Sequence, residues 1–403
     1  MQLQAVEILR QLATPAQSKM VLLVMDGLGG LPHEKTGLTE LETAKTPNLD
    51  RLAKENSVGL TTPLIPGVTP GSAPAHLALF GYDAFEYPIG RGVLSAVGIG
   101  LDLTPNDVAC RVNFATMKDG VIVDRRAGRI PTEEAARLCE ALSAVKLPGV
   151  ELIIRPEMQH RAVIVWRGEE LSDAIADTDP QVTGVPPLPA RALAPEAEKM
   201  AALVNEFLAQ ANRILANEPR ANTVLLRGFG RLPHIPTLQE LYGLRAAVIA
   251  AYPMYRGLAK LVGMEERPAG KTFRDQLASL KEAWNEYDYF FLHVKGTDAA
   301  GEDGDFDRKV ALIEEVDAAL PELLELKPDV LVITGDHSTP ARMRGHSWHP
   351  VPVLLVSPLA RRNPWVNGFG ESEAAKGALG HIRSQELMGL MLAHAGRLKK
   401  YGA

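Results

Sequence analysis

Apolar residues occur along this chain in short runs separated by longer amphipathic segments. Runs that are apolar throughout are typical of strands buried on both faces, and they lie at 20–25, 223–226, 246–250, 289–294, 330–334 and 351–356. Between them, helical spacing of apolar residues predicts helices at 46–55, 72–80, 195–216, 271–286 and 305–326. This alternation predicts an α/β fold with a mostly parallel sheet covered by helices.

The middle of the chain has a different pattern. Alternating apolar and polar positions predict paired strands at 108–114, 121–124, 152–155 and 162–166, with one helix at 132–144 that Thr132 would cap. We therefore expect a smaller α+β domain at residues 104–220. It would be inserted into a larger α/β domain formed by residues 1–103 and 221–403.

Composition narrows the classes of function. The 403 residues include 43 Lys and Arg against 49 Asp and Glu, a net charge of −6, which argues against a nucleic-acid partner bound through bulk positive charge. The 2 cysteines are too few for a disulfide framework or a zinc cage. The first residues lack the pattern of a secretion signal, and the apolar run at 20–25 is too short to span a membrane. We expect a cytoplasmic protein without a membrane partner.

Candidate catalytic residues follow the predicted strands. Ligands of open α/β sheets bind at the carboxyl ends of strands, and four polar clusters lie at such positions. Each residue alone has a structural explanation, such as a turn, a helix cap or a solvated face. The clusters contain Asp26, Ser72 after Pro70-Gly71, Lys295 and Asp298 with Glu302, and Asp336-His337 followed by His346 and His349.

The residue types within these clusters share one chemistry. Carboxylates and imidazoles without cysteine suit divalent ions such as Mn²⁺, Zn²⁺ or Mg²⁺. Two such ions can stabilise the attacking and leaving oxygens of phosphoryl transfer. A serine hydroxyl such as that of Ser72 becomes an effective nucleophile when a metal or a base activates it. The clusters therefore indicate a metal-dependent phosphoryl transfer.

The order and spacing of several motifs resemble one family across nearly the whole chain. They are Met25-Asp26-Gly27-Leu28-Gly29-Gly30, Thr46-Pro47-Asn48-Leu49-Asp50, Pro70-Gly71-Ser72, Phe80-Gly81-Tyr82-Asp83, Gly90-Arg91-Gly92, His293-Val294-Lys295-Gly296-Thr297-Asp298, Gly335-Asp336-His337-Ser338 and Pro350-Val351-Pro352-Val353. The chain resembles the archaeal-type, 2,3-bisphosphoglycerate-independent phosphoglycerate mutases of the alkaline phosphatase superfamily. The resemblance implies an alkaline-phosphatase-like sandwich, a mostly parallel sheet with helices on both faces, plus the inserted domain.

The resemblance also implies an activity and a set of site residues. The reaction would interconvert 3-phosphoglycerate and 2-phosphoglycerate, without 2,3-bisphosphoglycerate as a cofactor. Ser72 would be the nucleophile and become a phosphoserine. Two divalent metal ions (Mn²⁺, Mg²⁺ or Zn²⁺) would be held, one by Asp26, Ser72, Asp336 and His337, the other by Asp298, Glu302 and His346.

Four positions depart from the family pattern. Glu302 stands where the family usually has His, His349 where it usually has Asp, and Ala73-Pro74 where it usually has Asp-Thr. A carboxylate can replace an imidazole as a ligand, so Glu302 is predicted to complete the second metal site and to favour Mn²⁺ or Mg²⁺ over Zn²⁺. The alternative is that His349 takes this place.

An anionic phosphate-carboxylate substrate calls for guanidinium groups, which bind such groups in a bidentate manner. Substrate-binding candidates are Arg111, Asp124, Arg125, Arg126, Arg129 and Arg161 in the inserted domain, with Arg227 and Lys295 elsewhere. Rival functions are a metal-dependent phosphatase or a phosphotransferase of the same superfamily that acts on another small metabolite, and a non-catalytic binding protein. The sequence leaves a homo-oligomer open.

Overall fold

The computed structural model describes residues 2–402, so that Met1 and Ala403, the two ends of the predicted larger domain, lie outside the described part. In chain order the strands are β1 (Met20–Met25), β2 (Ser57–Thr62), β3 (Val108–Lys118), β4 (Val121–Asp124), β5 (Val150–Met158), β6 (Arg161–Gly168), β7 (Thr223–Arg231), β8 (Ala246–Ala250), β9 (Glu265–Glu266), β10 (Tyr289–Val294), β11 (Val330–Thr334), β12 (Val351–Val356) and β13 (Gly380–Arg383). The helices are α1 (Gln2–Leu12), α2 (Glu40–Thr43), α3 (Pro47–Glu55), α4 (Ser72–Leu79), α5 (Arg91–Gly98), α6 (Thr132–Leu142), α7 (Glu198–Leu215), α8 (Leu238–Tyr242), α9 (Pro253–Leu261), α10 (Phe273–Ala283), α11 (Gly296–Asp303), α12 (Phe306–Leu324), α13 (Glu371–Ala374) and α14 (Leu387–His394).

Eight strands form one large sheet in the order β13-β2-β12-β11-β1-β10-β8-β9. At its centre β1 pairs in parallel with β10 and β11, and β10 pairs in parallel with β8. β12 is antiparallel to both β11 and β2, because residues 335–350 form turns and loops and provide no helical crossover between β11 and β12. The predicted α/β class with a mostly parallel sheet is confirmed.

The core of this sheet explains why its strands are apolar throughout. All six residues of β1 are buried, so both faces of the sheet are covered. One face packs against helices from early and late parts of the chain. The core cluster on this face contains Val21, Leu23, Leu52 of α3, Leu280 of α10 and Val316 of α12. Rigid central strands therefore hold the loops at their carboxyl ends.

A second sheet of five strands is antiparallel throughout, with β7, β4 and β6 paired to β3 and β5 paired to β6. The prediction of 223–226 as a strand of the parallel sheet was wrong, because these residues begin β7. Val224 and Leu226 pack into the core of the smaller sheet, and Leu225 is also buried on the other face. Burial on both faces gave β7 the sequence pattern of a parallel strand.

The chain divides into two compact units, Met1–Tyr87 with Ile235–Ala403, and Pro88–His234. The second unit is wider than the predicted 104–220 because α5 and β7 pack with β3. A Cβ on Gly92 of α5 would lie 2.4 Å from the carbonyl oxygen of Ala109 in β3, so only glycine permits this close packing. Within the second unit Thr132 is the first residue of α6 and follows the cap residue Pro131, so its predicted capping role was wrong. Its hydroxyl instead accepts a hydrogen bond from the backbone N–H of Gln159.

None of the helices in the described part of the chain combines the length and hydrophobicity of a membrane span.

Candidate active site

The polar clusters of the first unit lie at one edge of the large sheet. β11, β1 and β10 are neighbours and parallel, so their carboxyl ends point in the same direction. Asp26 follows β1, Asp298 lies in the first turn of α11 after β10, and Asp336-His337 follow β11. The sheet therefore brings together residues that are more than three hundred positions apart in the chain.

Asp26, Asp336 and His337 form the first group of candidate metal ligands. One donor atom of each lies within 4.8 Å of the others, and all three side chains are fully buried. His337 Nε2 is 3.5 Å from Asp26 Oδ1 and 3.2 Å from Asp336 Oδ2. Both of these oxygens lack a hydrogen-bond partner among the described residues. Converging buried donors of this kind fit a divalent cation, which would satisfy them together.

The surrounding protein holds each carboxylate by its other oxygen. Asp26 Oδ2 accepts a hydrogen bond of 2.5 Å from the hydroxyl of Tyr255 and lies 3.0 Å from Lys295 Nζ. Asp336 Oδ1 accepts a hydrogen bond of 3.0 Å from the backbone N–H of Gly27. The oxygens that face His337 are thereby left available for a ligand.

The pKa values of this group show why a cation would stabilise it. Burial disfavours both charged carboxylates, but the ammonium of Lys295 and the nearby histidines hold the pKa of Asp26 well below its usual range. Burial and the charge of Asp26 raise the pKa of Asp336 well above its usual range. Burial also lowers the pKa of His337, so its ring is neutral. A divalent cation bound between Asp26, Asp336 and His337 would compensate the charges of both carboxylates.

The second group of candidate ligands is formed by Asp298 and His346 together with His337, which belongs to both groups. His346 Nε2 lies 3.5 Å from Asp298 Oδ1, and the His346 ring stacks on that of His337 at 3.7 Å between centroids. The other ring nitrogen, Nδ1, is 3.0 Å from the carbonyl oxygen of Pro70. Because a carbonyl only accepts, Nδ1 carries the proton, and Nε2 keeps the lone pair that a metal needs.

Glu302 and His349, the two candidates for completing this group, lie in different surroundings. Glu302 Oε1 is 3.9 Å from His346 Nε2, on a side chain that is 55% exposed. His349 Nδ1 is 3.0 Å from the hydroxyl of Ser347, and His349 lines a separate cavity together with Glu371. The structure thus places the Glu302 carboxylate near His346 and the His349 ring beside Ser347.

Ser72 lies at the same edge of the sheet. Its hydroxyl oxygen is 3.4 Å from His337 Nε2. Ser72 is the first residue of α4, whose cap residue is Gly71, so the hydroxyl is not used for capping. The positive end of the helix dipole and the first backbone N–H groups of α4 favour a phosphoryl group on this residue.

Three buried residues around these groups were not predicted. His76 Nδ1 is 3.2 Å from Asp336 Oδ2, His293 Nε2 is 3.3 Å from Asp26 Oδ2, and Tyr255 binds Asp26 as described. Burial and the neighbouring His293 lower the pKa of His76 to about 3, so this ring is neutral. The sequence carried a signal for two of them, since His76 lies one helical turn after Ser72 and His293 interrupts an apolar strand. Tyr255 on α9 gave no signal.

The second unit contains a cavity of about 250 Å³ that is lined mainly by arginines. Of the predicted substrate-binding residues, Arg111, Arg125, Arg126, Arg161 and Arg227 line it. Asp124 and Arg129 are not among the lining residues, and the Asp124 carboxylate instead accepts the backbone N–H groups of Arg126 and Gly128 in a turn. The remaining lining residues are Arg91, Asn113, His160 and Gln181. Lys295 belongs to the first unit, where its ammonium contacts Asp26 and Asp298.

Buried carboxylates orient several of these arginines. Arg111 forms a bidentate ion pair with Glu157 at 3.1 Å, and Arg125 forms one with Asp179 at 2.8 and 2.7 Å. Burial and the neighbouring arginines lower the pKa of His160 to about 4, so it is neutral and adds no charge. Six arginines line the cavity, and the cavity therefore suits an anion with carboxylate or phosphate groups.

Comparisons with known proteins identify the family. The family described as 2,3-bisphosphoglycerate-independent phosphoglycerate mutase matches residues 53–221. A protein of Thermus thermophilus, named as a probable 2,3-bisphosphoglycerate-independent phosphoglycerate mutase, is 54% identical over 402 residues, covering 98% of this chain and 99% of that protein. A relative with the same name from Aquifex aeolicus is 52% identical over 408 residues, covering 98% of this chain and 100% of the relative.

Solved structures agree with this assignment. A protein from Pyrococcus horikoshii superposes with a TM-score of 0.83 at 32% identity, over 96% of this chain and 100% of the other. The cofactor-independent phosphoglycerate mutase of Thermoplasma acidophilum superposes with a TM-score of 0.72 at 31% identity, over 94% and 100%. The resemblance found in the sequence motifs is thus confirmed, and the chain belongs to the family of 2,3-bisphosphoglycerate-independent phosphoglycerate mutases.

Proposed function

We propose that this protein interconverts 3-phosphoglycerate and 2-phosphoglycerate through a phosphoserine at Ser72. The observation that carries the proposal is the position of the Ser72 hydroxyl, 3.4 Å from His337 Nε2 and beside two groups of candidate metal ligands. Family membership supports the same reaction, since the Thermoplasma acidophilum structure is named as a cofactor-independent phosphoglycerate mutase. The proposal requires no 2,3-bisphosphoglycerate, and it places the protein in glycolysis and in the cytoplasm.

Two divalent ions, Mn²⁺, Mg²⁺ or Zn²⁺, would be held by the residues described above. Asp26, Asp336 and His337 would bind the first ion together with Ser72, and Asp298, His346 and Glu302 would bind the second. When bound, such ions supply positive charge to the phosphoryl oxygens and make a serine hydroxyl easier to deprotonate.

The covalent steps balance without a co-reactant. Ser72 Oγ attacks phosphorus, the bond between phosphorus and O3 of glycerate breaks, and the proton lost from Ser72 is returned to O3. Glycerate then reorients, its O2 attacks the phosphoserine, and the proton lost from this hydroxyl passes to Ser72 Oγ as the bond between Oγ and phosphorus breaks. No water enters the balance, which distinguishes a mutase from a phosphatase.

The arginine cavity would bind the anionic groups of the substrate and retain glycerate between the two transfers. Arg111 and Arg125 each use one edge of the guanidinium for a buried carboxylate, which fixes the plane of the group. Lys295 would instead act near the reacting phosphoryl group, because its ammonium contacts Asp26 and Asp298. Burial lowers the pKa of Lys295, but the two carboxylates outweigh this effect and raise the pKa, so the ammonium stays charged.

An assay with two parallel readouts tests this proposal. Metal-stripped protein is reloaded with Mn²⁺ and given 3-phosphoglycerate, product formation is followed by coupling to enolase, and free phosphate is measured in the same sample. We expect enolase-coupled turnover with little free phosphate, and a phosphoserine at Ser72 in acid-quenched samples. Release of phosphate without 2-phosphoglycerate would indicate the phosphatase alternative. Activity on neither readout would indicate a different metabolite.

A further inference from the structure

A buried threonine connects the two groups of candidate metal ligands. The hydroxyl oxygen of Thr339 lies 2.7 Å from Asp298 Oδ1 and 3.0 Å from His337 Nδ1. Thr339 is fully buried. Asp298 belongs to the second group together with His346, whereas His337 belongs to both groups and faces Asp26 and Asp336 of the first group through Nε2.

The direction of both hydrogen bonds follows from counting protons. A hydroxyl has a single hydrogen, and an ionised carboxylate can only accept. The Thr339 hydroxyl therefore donates to Asp298, and it must accept the N–H of His337 Nδ1. With the proton on Nδ1, the lone pair of His337 lies on Nε2, the nitrogen that faces the unpaired oxygens of Asp26 and Asp336.

The backbone fixes the position of this hydroxyl. The N–H of Thr339 donates to the carbonyl oxygens of Gly27 and Gly29 at 3.2 and 3.1 Å, and its carbonyl accepts the buried ammonium of Lys309 at 2.9 Å. Gly27 has a φ of +63°, and a Cβ there would lie 2.5 Å from the Thr339 hydroxyl oxygen. A glycine next to Asp26 thus makes room for the hydroxyl between the two groups.

We propose that Thr339 is a positioning residue whose hydroxyl energetically couples the two metal ions. This inference rests on the proposed function in taking both groups as metal sites. With an ion held by its Nε2, His337 would donate more strongly from Nδ1–H, which would polarise the Thr339 hydroxyl and strengthen its hydrogen bond to Asp298. Binding at either site then favours the arrangement that the other site needs, and the coupling is reciprocal.

Variants at two positions separate coupling from a local effect. Thr339→Val keeps the shape of the side chain but removes the hydroxyl, whereas Thr339→Ser keeps the hydroxyl. Tyr255→Phe is the matched control, because the Tyr255 hydroxyl binds Asp26 of the first group only. Metal-stripped protein is titrated with Mn²⁺ in a calorimeter, and bound ions are counted by electron paramagnetic resonance. These readouts do not depend on mutase activity.

We expect Thr339→Val to lower the affinity for both ions by roughly 10- to 100-fold, the usual effect of losing a hydrogen bond to a ligating residue. In Thr339→Ser both affinities should be within about threefold of the wild-type values. Tyr255→Phe should weaken the binding of the first ion alone. Loss of one ion only in Thr339→Val, or equal losses in Thr339→Val and Thr339→Ser, would overturn the coupling. A wild-type protein that binds fewer than two ions would instead overturn the proposed function.

A measurement on the wild-type protein keeps the inference testable if Thr339→Val does not fold. The tautomer of His337 is visible in ¹⁵N-histidine NMR spectra, and its signals are assigned by their loss in His337→Asn. We expect a proton on Nδ1 of His337 in the metal-free protein. A proton on Nε2 would contradict the directions of the hydrogen bonds and overturn the inference.

Discussion

The metal-ligand groups of the first unit and the arginine cavity of the second unit have opposite charge but use their side chains in the same way. Asp26 and Asp336 each give one oxygen to the protein and leave the other without a partner in the described part of the chain. Arg111 and Arg125 each give one guanidinium edge to a buried carboxylate. In both regions contacts within the protein fix the charged side chains in place.

The two regions differ in what positions them. The carboxylates follow adjacent parallel strands, so the sheet alone brings them together. The arginines come from several elements, including α5, β3 and β7, and depend on partner carboxylates for their orientation. The topology of the sheet therefore positions the charged groups at the metal sites, whereas individual ion pairs position the charged groups in the cavity. Variants in the two regions should consequently have separable effects.

The largest effect is expected from Ser72→Ala. Losing the nucleophile should lower mutase turnover by at least about 10⁴-fold, measured by the enolase-coupled assay. Folding should be kept, since Gly71 is the cap residue of α4, and the free energy of unfolding should change by about 0.5 kcal/mol or less. Turnover near the wild-type level, or a phosphoryl group trapped on another residue, would rule out Ser72 as the nucleophile.

Asp336→Asn should separate stability from metal binding. In the metal-free protein, burial and Asp26 raise the pKa of Asp336, so the folded state binds more protons than the unfolded chain. The contribution of this group to stability therefore falls as the pH rises above about 4. At pH 7 the variant should be more stable than wild type by roughly 1–3 kcal/mol without metal, and should lose the stabilisation that Mn²⁺ gives wild type.

Thermal unfolding with EDTA and with Mn²⁺ measures both effects. Asp317→Asn is the control, because Asp317 is also buried but its oxygens accept hydrogen bonds from Leu49 at 2.8 Å and Asn48 at 3.1 Å. It should lower the melting temperature under both conditions. A drop for metal-free Asp336→Asn would show that its carboxylate is satisfied by the protein alone.

In the second unit, Arg126→Ala should reduce kcat/KM for 3-phosphoglycerate by roughly 10- to 100-fold, the effect of losing one charged hydrogen bond. Arg129→Ala is the matched control, because both side chains are exposed but only Arg126 is among the lining residues of the cavity. Mn²⁺ titrations should be unchanged in both variants. Equal losses for the two variants would mean that overall positive charge, rather than the cavity, binds the substrate.

The smallest effect is expected from Glu302→Gln. Because the side chain is 55% exposed, its charge is screened, and the affinity for the second ion should fall only about two- to fivefold. His349→Ala should leave both ions unaffected, since His349 lines a different cavity. The Mn²⁺ titration used for Thr339 measures both. A stronger loss in His349→Ala than in Glu302→Gln would reverse the assignment.

The same difference between the two regions determines which parts of the molecule could be predicted from the sequence. Asp26, Asp298 and Asp336 follow apolar runs, and a strand end in a parallel sheet is a position that sequence can identify. The arginines could be predicted by residue type only, because whether Arg126 or Arg129 reaches a cavity depends on the course of one turn. The sheet to which β7 belongs could not be predicted from the sequence either. β7 is buried within the small antiparallel sheet, so its sequence has the apolar pattern of a parallel strand. Tyr255 binds Asp26 from an element 229 positions away, a distance that no local pattern spans.

The order of elements along the chain has a consequence for how this protein folds during synthesis. β1 finds its partners β10 and β11 only after Tyr289 and Val330 have been made. The second unit is continuous, and all strands of its sheet lie between Val108 and Arg231. It can fold first, and its entering and leaving segments then meet, since Gly230 Cα lies 3.0 Å from the position of a Cβ on Gly90. A folded second unit would thereby shorten the loop that β1 must close and lower the entropy cost of forming the central sheet.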